Sequence, residues 1–155
     1  MKFSKIAGAI LLATIIAVAA LAPVGPLPGF FIGGTPTVPP NVWPDTSKVD
    51  NVTLKIAGGI PRVIIVWIIQ YDGELHVIGR SSSSWTNKLG SGGPVELRIE
   101  DQTYSLVASR VREGWEPIAM AYMDKYRPDS PELIASFPPI EDAADFIAVF
   151  ELNRQ

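Results

Sequence analysis

The sequence predicts a mainly β protein of the α+β class: a small six-stranded barrel with short helices, preceded by one N-terminal transmembrane helix. Residues 63–69 form an apolar run that is typical of a strand buried on both faces. Residues 95–99 alternate between apolar and charged side chains, which indicates a strand with one buried face. Residues 6–22 are apolar and uncharged, and they predict the transmembrane helix.

Turn and helix signals place the other elements of the barrel. Asp72-Gly73 favours the positive φ angles of a two-residue hairpin turn between the second and third strands. The predicted strands cover residues 52–57, 62–71, 74–78, 95–99, 103–111 and 146–152. The predicted helical segments cover residues 84–89, 116–127 and 131–137. Six strands with a helix between the third and the fourth suit a small closed barrel.

Composition excludes several classes of function. The chain of 155 residues contains no cysteine, so disulfides, thiolate metal sites and cysteine nucleophiles are ruled out. Its 13 Lys and Arg residues against 16 Asp and Glu residues form no basic patch with interleaved aromatics, which argues against nucleic acid as a partner. No spacing of His, Asp and Glu is typical of a metal site, and the only histidine, His76, is expected to be structural.

The N-terminal segment, residues 1–22, has two interpretations. As a retained anchor, a helix of about 20 residues would be about 30 Å long and just able to span the hydrocarbon core. As a signal peptide, it offers small-x-small cleavage sites at residues 17–19 and 20–22. Because both lysines precede the apolar stretch, the anchor would leave the N-terminus in the cytoplasm of a bacterium and the barrel on the periplasmic side of the inner membrane.

Residues 23–50 form a Pro- and Gly-rich extended segment between the anchor and the barrel domain of residues 51–155. Residues 23–44 hold seven of the fourteen prolines, which prevents a second helix there. One interpretation is a semi-rigid spacer. The other is a strap whose aromatic residues contact the membrane interface, a second copy in a homodimer, or a larger membrane-protein complex.

A polar cluster follows the third strand and is the candidate binding site. It consists of Arg80, the serines Ser81, Ser83 and Ser84 with their neighbour at position 82, and Trp85. Serine hydroxyls and backbone N–H groups at a helix start can hold phosphate, and arginine adds a permanently charged donor. An indole can stack on a planar ring. In the alternative interpretation the serines only cap the short helix, and the tryptophan is a core or dimer contact.

The block from Pro61 to Trp85 and the region after it resemble the FMN-binding split-barrel proteins, which include pyridoxamine-phosphate oxidases and deazaflavin-dependent nitroreductases. The resemblance covers roughly residues 52–152. Matches to the oxidase pattern are Arg62 at the start of a strand, Ser83 before the short helix, and Leu89 with Pro94 at its end. Tryptophan replaces both oxidase lysines, at Trp67 and Trp85, and the text after Trp85 is similar to a W-x-x-N-L pattern of the deazaflavin branch.

The resemblance implies a split barrel that binds FMN or a deazaflavin coenzyme, with the cofactor phosphate near Arg62, Arg80 and Ser83 and Trp85 near the ring. Two hypotheses follow. The chain is either a membrane-anchored flavin- or deazaflavin-dependent oxidoreductase, or a cofactor-free accessory subunit of a respiratory or photosynthetic membrane complex.

Overall fold

A computed structural model describes residues 29–155 together with Ile10, Leu11 and Thr14. The predicted anchor at residues 6–22 therefore lies almost entirely outside the described residues, as does the beginning of the Pro- and Gly-rich segment. Among the residues that are described, no helix has the length and apolar character needed to cross a bilayer.

Residues 29–155 form seven strands, three α-helices and one 3₁₀ helix. The strands are β1 (Thr35–Thr37), β2 (Asn51–Ile56), β3 (Arg62–Tyr71), β4 (Glu74–Arg80), β5 (Gly92–Ile99), β6 (Gln102–Val111) and β7 (Ile147–Arg154). The helices are α1 (Ser84–Leu89), α2 (Glu116–Tyr126), α3 (Pro131–Ala135) and the 3₁₀ helix Ile140–Asp142. The six predicted strands correspond to β2–β7, whereas β1 and the 3₁₀ helix were not predicted.

Strands β2–β7 close into a barrel. Their order is β6-β5-β2-β3-β4-β7, and antiparallel pairing of β6 with β7 closes the sheet. The predicted mainly β, six-stranded barrel is thereby confirmed. The β6–β7 pairing ends at Leu106 and Arg154, and parallel strand β1 continues along the same edge of β6, with Thr35 opposite Gln102.

The hairpin between β3 and β4 has the predicted turn. Asp72 and Gly73 have φ angles of 50° and 82°, so both central residues are in the left-handed region that such a turn requires. The pairing of β3 with β4 covers only Ile68–Tyr71 of β3, next to the turn, and the two strands separate farther from the turn. The first half of β3 is therefore paired with β2 but not with β4.

Two apolar cores hold the barrel together. The barrel interior is filled by side chains from all six of its strands, among them Leu54, Ile68, Leu97, Leu106 and Phe150. The second core lies between the outside of the barrel and α2, whose buried residues are Ile118, Ala119, Tyr122 and Tyr126. Trp67 stacks on Tyr126 there, with ring centroids 4.2 Å apart and an interplanar angle of 11°.

Five cationic side chains lie at one end of the barrel. Strand β4 ends and β5 begins at α1. Because β3 is antiparallel to β4 and β6 is antiparallel to β5, the start of β3 and the end of β6 lie at this same end. Five of the 13 Lys and Arg residues lie on these elements or directly after them: Arg62, Arg80, Lys88, Arg110 and Arg112. Acidic residues lie at this end as well, among them Glu113 after β6 and Asp145 before β7, so its charge is mixed.

Candidate functional site

The serine run forms a tight turn that Thr86 holds from inside. The Oγ1 atom of buried Thr86 lies 2.8 Å from the carbonyl oxygens of Arg80 and Ser83, and 3.1 Å from that of Ser81. Ser83 is the N-cap of α1 and its Oγ accepts a long hydrogen bond, 3.5 Å, from the Thr86 N–H. This serine therefore caps the helix as predicted, and several polar groups of the turn are hydrogen-bonded within the turn itself.

Arg80 and Ser81 lie where β4 meets β7. The exposed Arg80 guanidinium lies over the ring of Phe146, 5.2 Å from its centroid, and has no ion pair within residues 29–155. The Ser81 N–H donates to the Phe146 carbonyl oxygen at 2.8 Å. The Ser81 hydroxyl is buried without a hydrogen-bond partner in the described structure. Ser84, the first residue of α1, is exposed.

Trp85 packs into the end of the barrel interior. Its half-buried ring lies 5.9 Å from the ring of Phe150. Gly79 is required beneath it, because a Cβ at that position would overlap the indole. Trp85 therefore supports the turn from inside, and Trp67 is likewise in contact with its own chain, through Tyr122 and Tyr126.

Arg62 lies in a cleft that opens at the α1 end of the barrel. The cleft has a volume of about 310 Å³ and is lined by Gly29, Phe30, Ile60, Pro61, Arg62 and Lys88. The Arg62 Nε is buried and has no hydrogen-bond partner among the described residues. A guanidinium nitrogen that has lost water without gaining an acceptor favours an anionic ligand, because the cost of leaving it unpaired is then recovered.

Lys88 supplies a second cation to this cleft. It projects from the last turn of α1 towards the β2–β3 loop, where a Cβ at Gly58 would lie only 2.8 Å from its Nζ. Neither Lys88 nor Arg62 forms an ion pair within residues 29–155. The cleft thus combines two unpaired cations with apolar walls, which suits a ligand that carries both a phosphate or carboxylate group and an apolar part.

The structure separates the predicted site residues into two groups. Of the six, only Arg62 lines the cleft, whereas Arg80 and the serines form the turn at the opposite end of α1. Six helical residues span about 9 Å, so one extended ligand is long enough to reach both groups. The sequence interpretation missed Lys88, because its place in the cleft depends on the path of the β2–β3 loop and no local pattern indicates it.

A further cavity at the same end of the barrel has mixed charge. It measures about 200 Å³ and is lined by Arg110, Arg112, Val111, Trp115, Ala144, Asp145, Ile147 and Val149. The Arg110 guanidinium donates a long hydrogen bond, 3.5 Å, to the Ile147 carbonyl oxygen. Among residues 29–155, no group of three or more His, Asp or Glu side chains has the arrangement of a metal site.

Comparisons with known proteins reach the level of the fold. No protein-family model matches the chain, and no curated protein has significant sequence similarity to it. The heme storage protein HutZ from Vibrio cholerae is similar in structure, with a TM-score of 0.50 and 17% identity over 70% of this chain and 84% of HutZ. A conserved hypothetical protein from Mycobacterium tuberculosis has a TM-score of 0.51 and 13% identity, over 77% of this chain and 86% of that chain.

An F420 reductase also matches, at a lower TM-score of 0.47 and 13% identity, over 76% of this chain and 96% of that chain. The likeness to HutZ and to the mycobacterial protein, together with the closure of six strands into one barrel, establishes the fold. The described domain is thus a closed six-stranded barrel with the fold of these two proteins.

Proposed function

We propose that the barrel binds FMN or a deazaflavin coenzyme and takes part in a redox reaction through it. The observation that carries the proposal is the buried, unpartnered Nε of Arg62 beside Lys88 in the cleft. The resemblance to the FMN-binding split-barrel proteins supports it, because Arg62 matches the arginine that starts a strand in the oxidase pattern.

The residues of the cleft fit the tail of such a cofactor. Arg62 offers a planar, bidentate donor to a phosphate, and Lys88 adds a point charge on the other wall. Phe30, Ile60 and Pro61 provide apolar surface for the uncharged part of the ligand. We assign Arg80, Ser81, Ser83 and Ser84 to a second polar contact at the other end of α1, and Trp85 to holding their turn in place.

The bound cofactor would supply the hydride chemistry, and the protein would bind and orient it. Residues 6–22 would tether the domain to the bacterial inner membrane, with the barrel on the periplasmic side.

Titration of FMN and of a deazaflavin coenzyme into the full chain tests the proposal. Arg62→Ala removes charge-assisted hydrogen bonds of about 1.5–3 kcal/mol, so binding should weaken about ten- to a hundredfold. Arg127→Ala is the matched control, because the exposed Arg127 contacts only Asp124 through its guanidinium. Arg80→Ala measures the contribution of the turn. A wild type that binds neither cofactor below millimolar concentration would refute the cofactor assignment.

A second candidate function is that of a cofactor-free accessory subunit of a larger membrane complex. Two observations favour it. Thr86 already bonds the carbonyl oxygens of the serine turn, and Trp67 and Trp85 contact side chains of their own chain. An absorbance spectrum of gently purified protein separates the two candidates, because bound flavin or deazaflavin is coloured. A colourless preparation that also fails in the titration would support the subunit.

A further inference from the structure

Two exposed apolar side chains line the cleft, and a third is adjacent to one of them in the chain; we call the three the docking surface. Phe30, Phe31 and Ile60 are 48%, 66% and 71% exposed. Phe30 and Ile60 line the cleft together, and Phe31 follows Phe30 in the chain. Exposed apolar side chains that are brought together from two separate segments are typical of an interaction site.

The backbone that carries the two phenylalanines is fixed on both sides. Gly29 and Val63 exchange two hydrogen bonds of 2.8 Å immediately before Phe30. After Phe31, the Ile32 carbonyl oxygen accepts a bond of 3.1 Å from Arg98, and the Gly33 carbonyl oxygen accepts one of 2.7 Å from Thr103. Phe31 is therefore exposed on a backbone that is bonded to the barrel, whereas the next residue, Ile32, is buried.

Charge next to the docking surface suits an anionic bilayer. Lys88 is exposed on the wall of the cleft and forms no ion pair in the described part of the chain. Cations beside aromatic and aliphatic side chains are the combination by which peripheral surfaces bind anionic lipid, with the apolar groups at the acyl boundary and the cations at the headgroups.

The path of the chain also leads from this surface towards a membrane. Gly29 follows Ala22, the last residue of the apolar stretch, by seven residues. Seven residues reach about 25 Å at most when fully extended. If residues 6–22 enter a bilayer, the docking surface is consequently held within a short distance of that bilayer.

We propose that Phe30, Phe31 and Ile60 insert into the interfacial region of an anionic bilayer and fix the orientation of the barrel against it. The cleft then opens at the membrane surface. The proposal does not depend on a bound cofactor, because it rests on the exposed side chains and on the position of residues 6–22 in the chain.

Single-cysteine spin labelling of the full chain tests the docking surface cleanly, since the natural sequence has no cysteine. Nitroxides are attached to Phe31→Cys, Ile60→Cys and, as the control, Leu133→Cys, whose native side chain on α3 is 45% exposed. The proteins are placed in vesicles of phosphatidylglycerol and phosphatidylcholine. Collision rates with oxygen, which partitions into lipid, and with an aqueous nickel chelate are then measured.

We expect the ratio of oxygen to nickel collision rates to be several-fold higher at positions 31 and 60 than at position 133. Aqueous values at either docking position would overturn the proposal, even if the protein stays with the vesicles through residues 6–22. Protection from both reagents, with spin–spin broadening, would show a second copy on this surface instead. Equal immersion in vesicles of phosphatidylcholine alone would refute the role given to anionic lipid.

Discussion

At the scale of single residues, His76 shows how burial on a strand changes the pKa of a side chain. It lies on β4 and is only 3% exposed. Its Nδ1 has no partner in the described structure, and its Nε2 is 3.9 Å from the Glu151 carboxylate, too far for a hydrogen bond. Burial lowers the pKa of His76 below its ordinary value, and the charge of Glu151 opposes this only in part.

This lowered pKa predicts that acid destabilises the fold through His76. Between the folded-state pKa and the ordinary value of 6.5, the unfolded chain binds more protons than the folded one, so stability falls as the pH decreases through that window. The slope is at most about 1.4 kcal/mol per pH unit. His76→Gln should remove this loss, which urea unfolding of both proteins at several pH values between about 7.5 and 5 measures. Identical pH profiles would contradict the assignment.

Half-buried Lys125 and buried Tyr126, by contrast, have hydrogen-bond partners for their polar groups. The Lys125 ammonium donates to the carbonyl oxygens of Thr46, Val49 and Ile68 at 3.0, 2.7 and 3.0 Å. The Tyr126 hydroxyl accepts from the Ile68 N–H at 3.0 Å and lies 2.9 Å from the Asp50 carbonyl oxygen. These two side chains of α2 therefore attach residues 46–50 to β3.

At the scale of elements, local signals were sufficient where neighbouring residues decide the structure. Asp72-Gly73 predicted the hairpin because both residues tolerate positive φ, and the alternation at residues 95–99 predicted β5 because one face of that strand is buried. Strand β1 was missed because Thr-Pro-Thr has no strand pattern, and only the free edge of the distant β6 makes it a strand. Lys88 was missed for the same reason: its partner segment is remote in sequence.

Strand β1 depends on a glycine that precedes it. Gly34 has a φ of +79°, and a Cβ there would collide with the Thr103 hydroxyl, which is bonded to the Gly33 carbonyl oxygen. Gly34→Ala should therefore cost about 1–3 kcal/mol and loosen β1 from β6. Faster amide hydrogen exchange in residues 35–37 and 102–104 is the expected readout. Gly59→Ala is the matched control, since nothing lies within 4 Å of its added Cβ and its φ is not positive.

At the scale of the whole molecule, the folded unit includes residues that composition alone assigns to the linker. Trp43 is 3% exposed and belongs to the barrel core. Its ring is in T-shaped contact with that of Tyr104 on β6, with centroids 5.1 Å apart. The guanidinium of Arg154 on β7 lies 5.3 Å from the centroid of the Trp43 ring. Arg154 also donates to the Pro40 carbonyl oxygen at 2.7 Å. Residues 40–43 of the Pro- and Gly-rich segment thus cover the end of the barrel opposite to α1.

This arrangement predicts that the barrel cannot be excised at the end of the proline-rich segment without loss of stability. A fragment of residues 45–155 lacks Trp43, β1 and the Pro40 carbonyl oxygen that Arg154 bonds, whereas a fragment of residues 29–155 keeps all three. Removal of the buried indole alone costs about 3–5 kcal/mol, so the shorter fragment should unfold at much lower urea concentration or fail to fold. Trp43→Ala in the longer fragment is the companion variant, and it should reproduce most of the loss because the side chain is fully enclosed. Equal urea midpoints for the two fragments would show that the segment only lies on the barrel and does not help to hold it together.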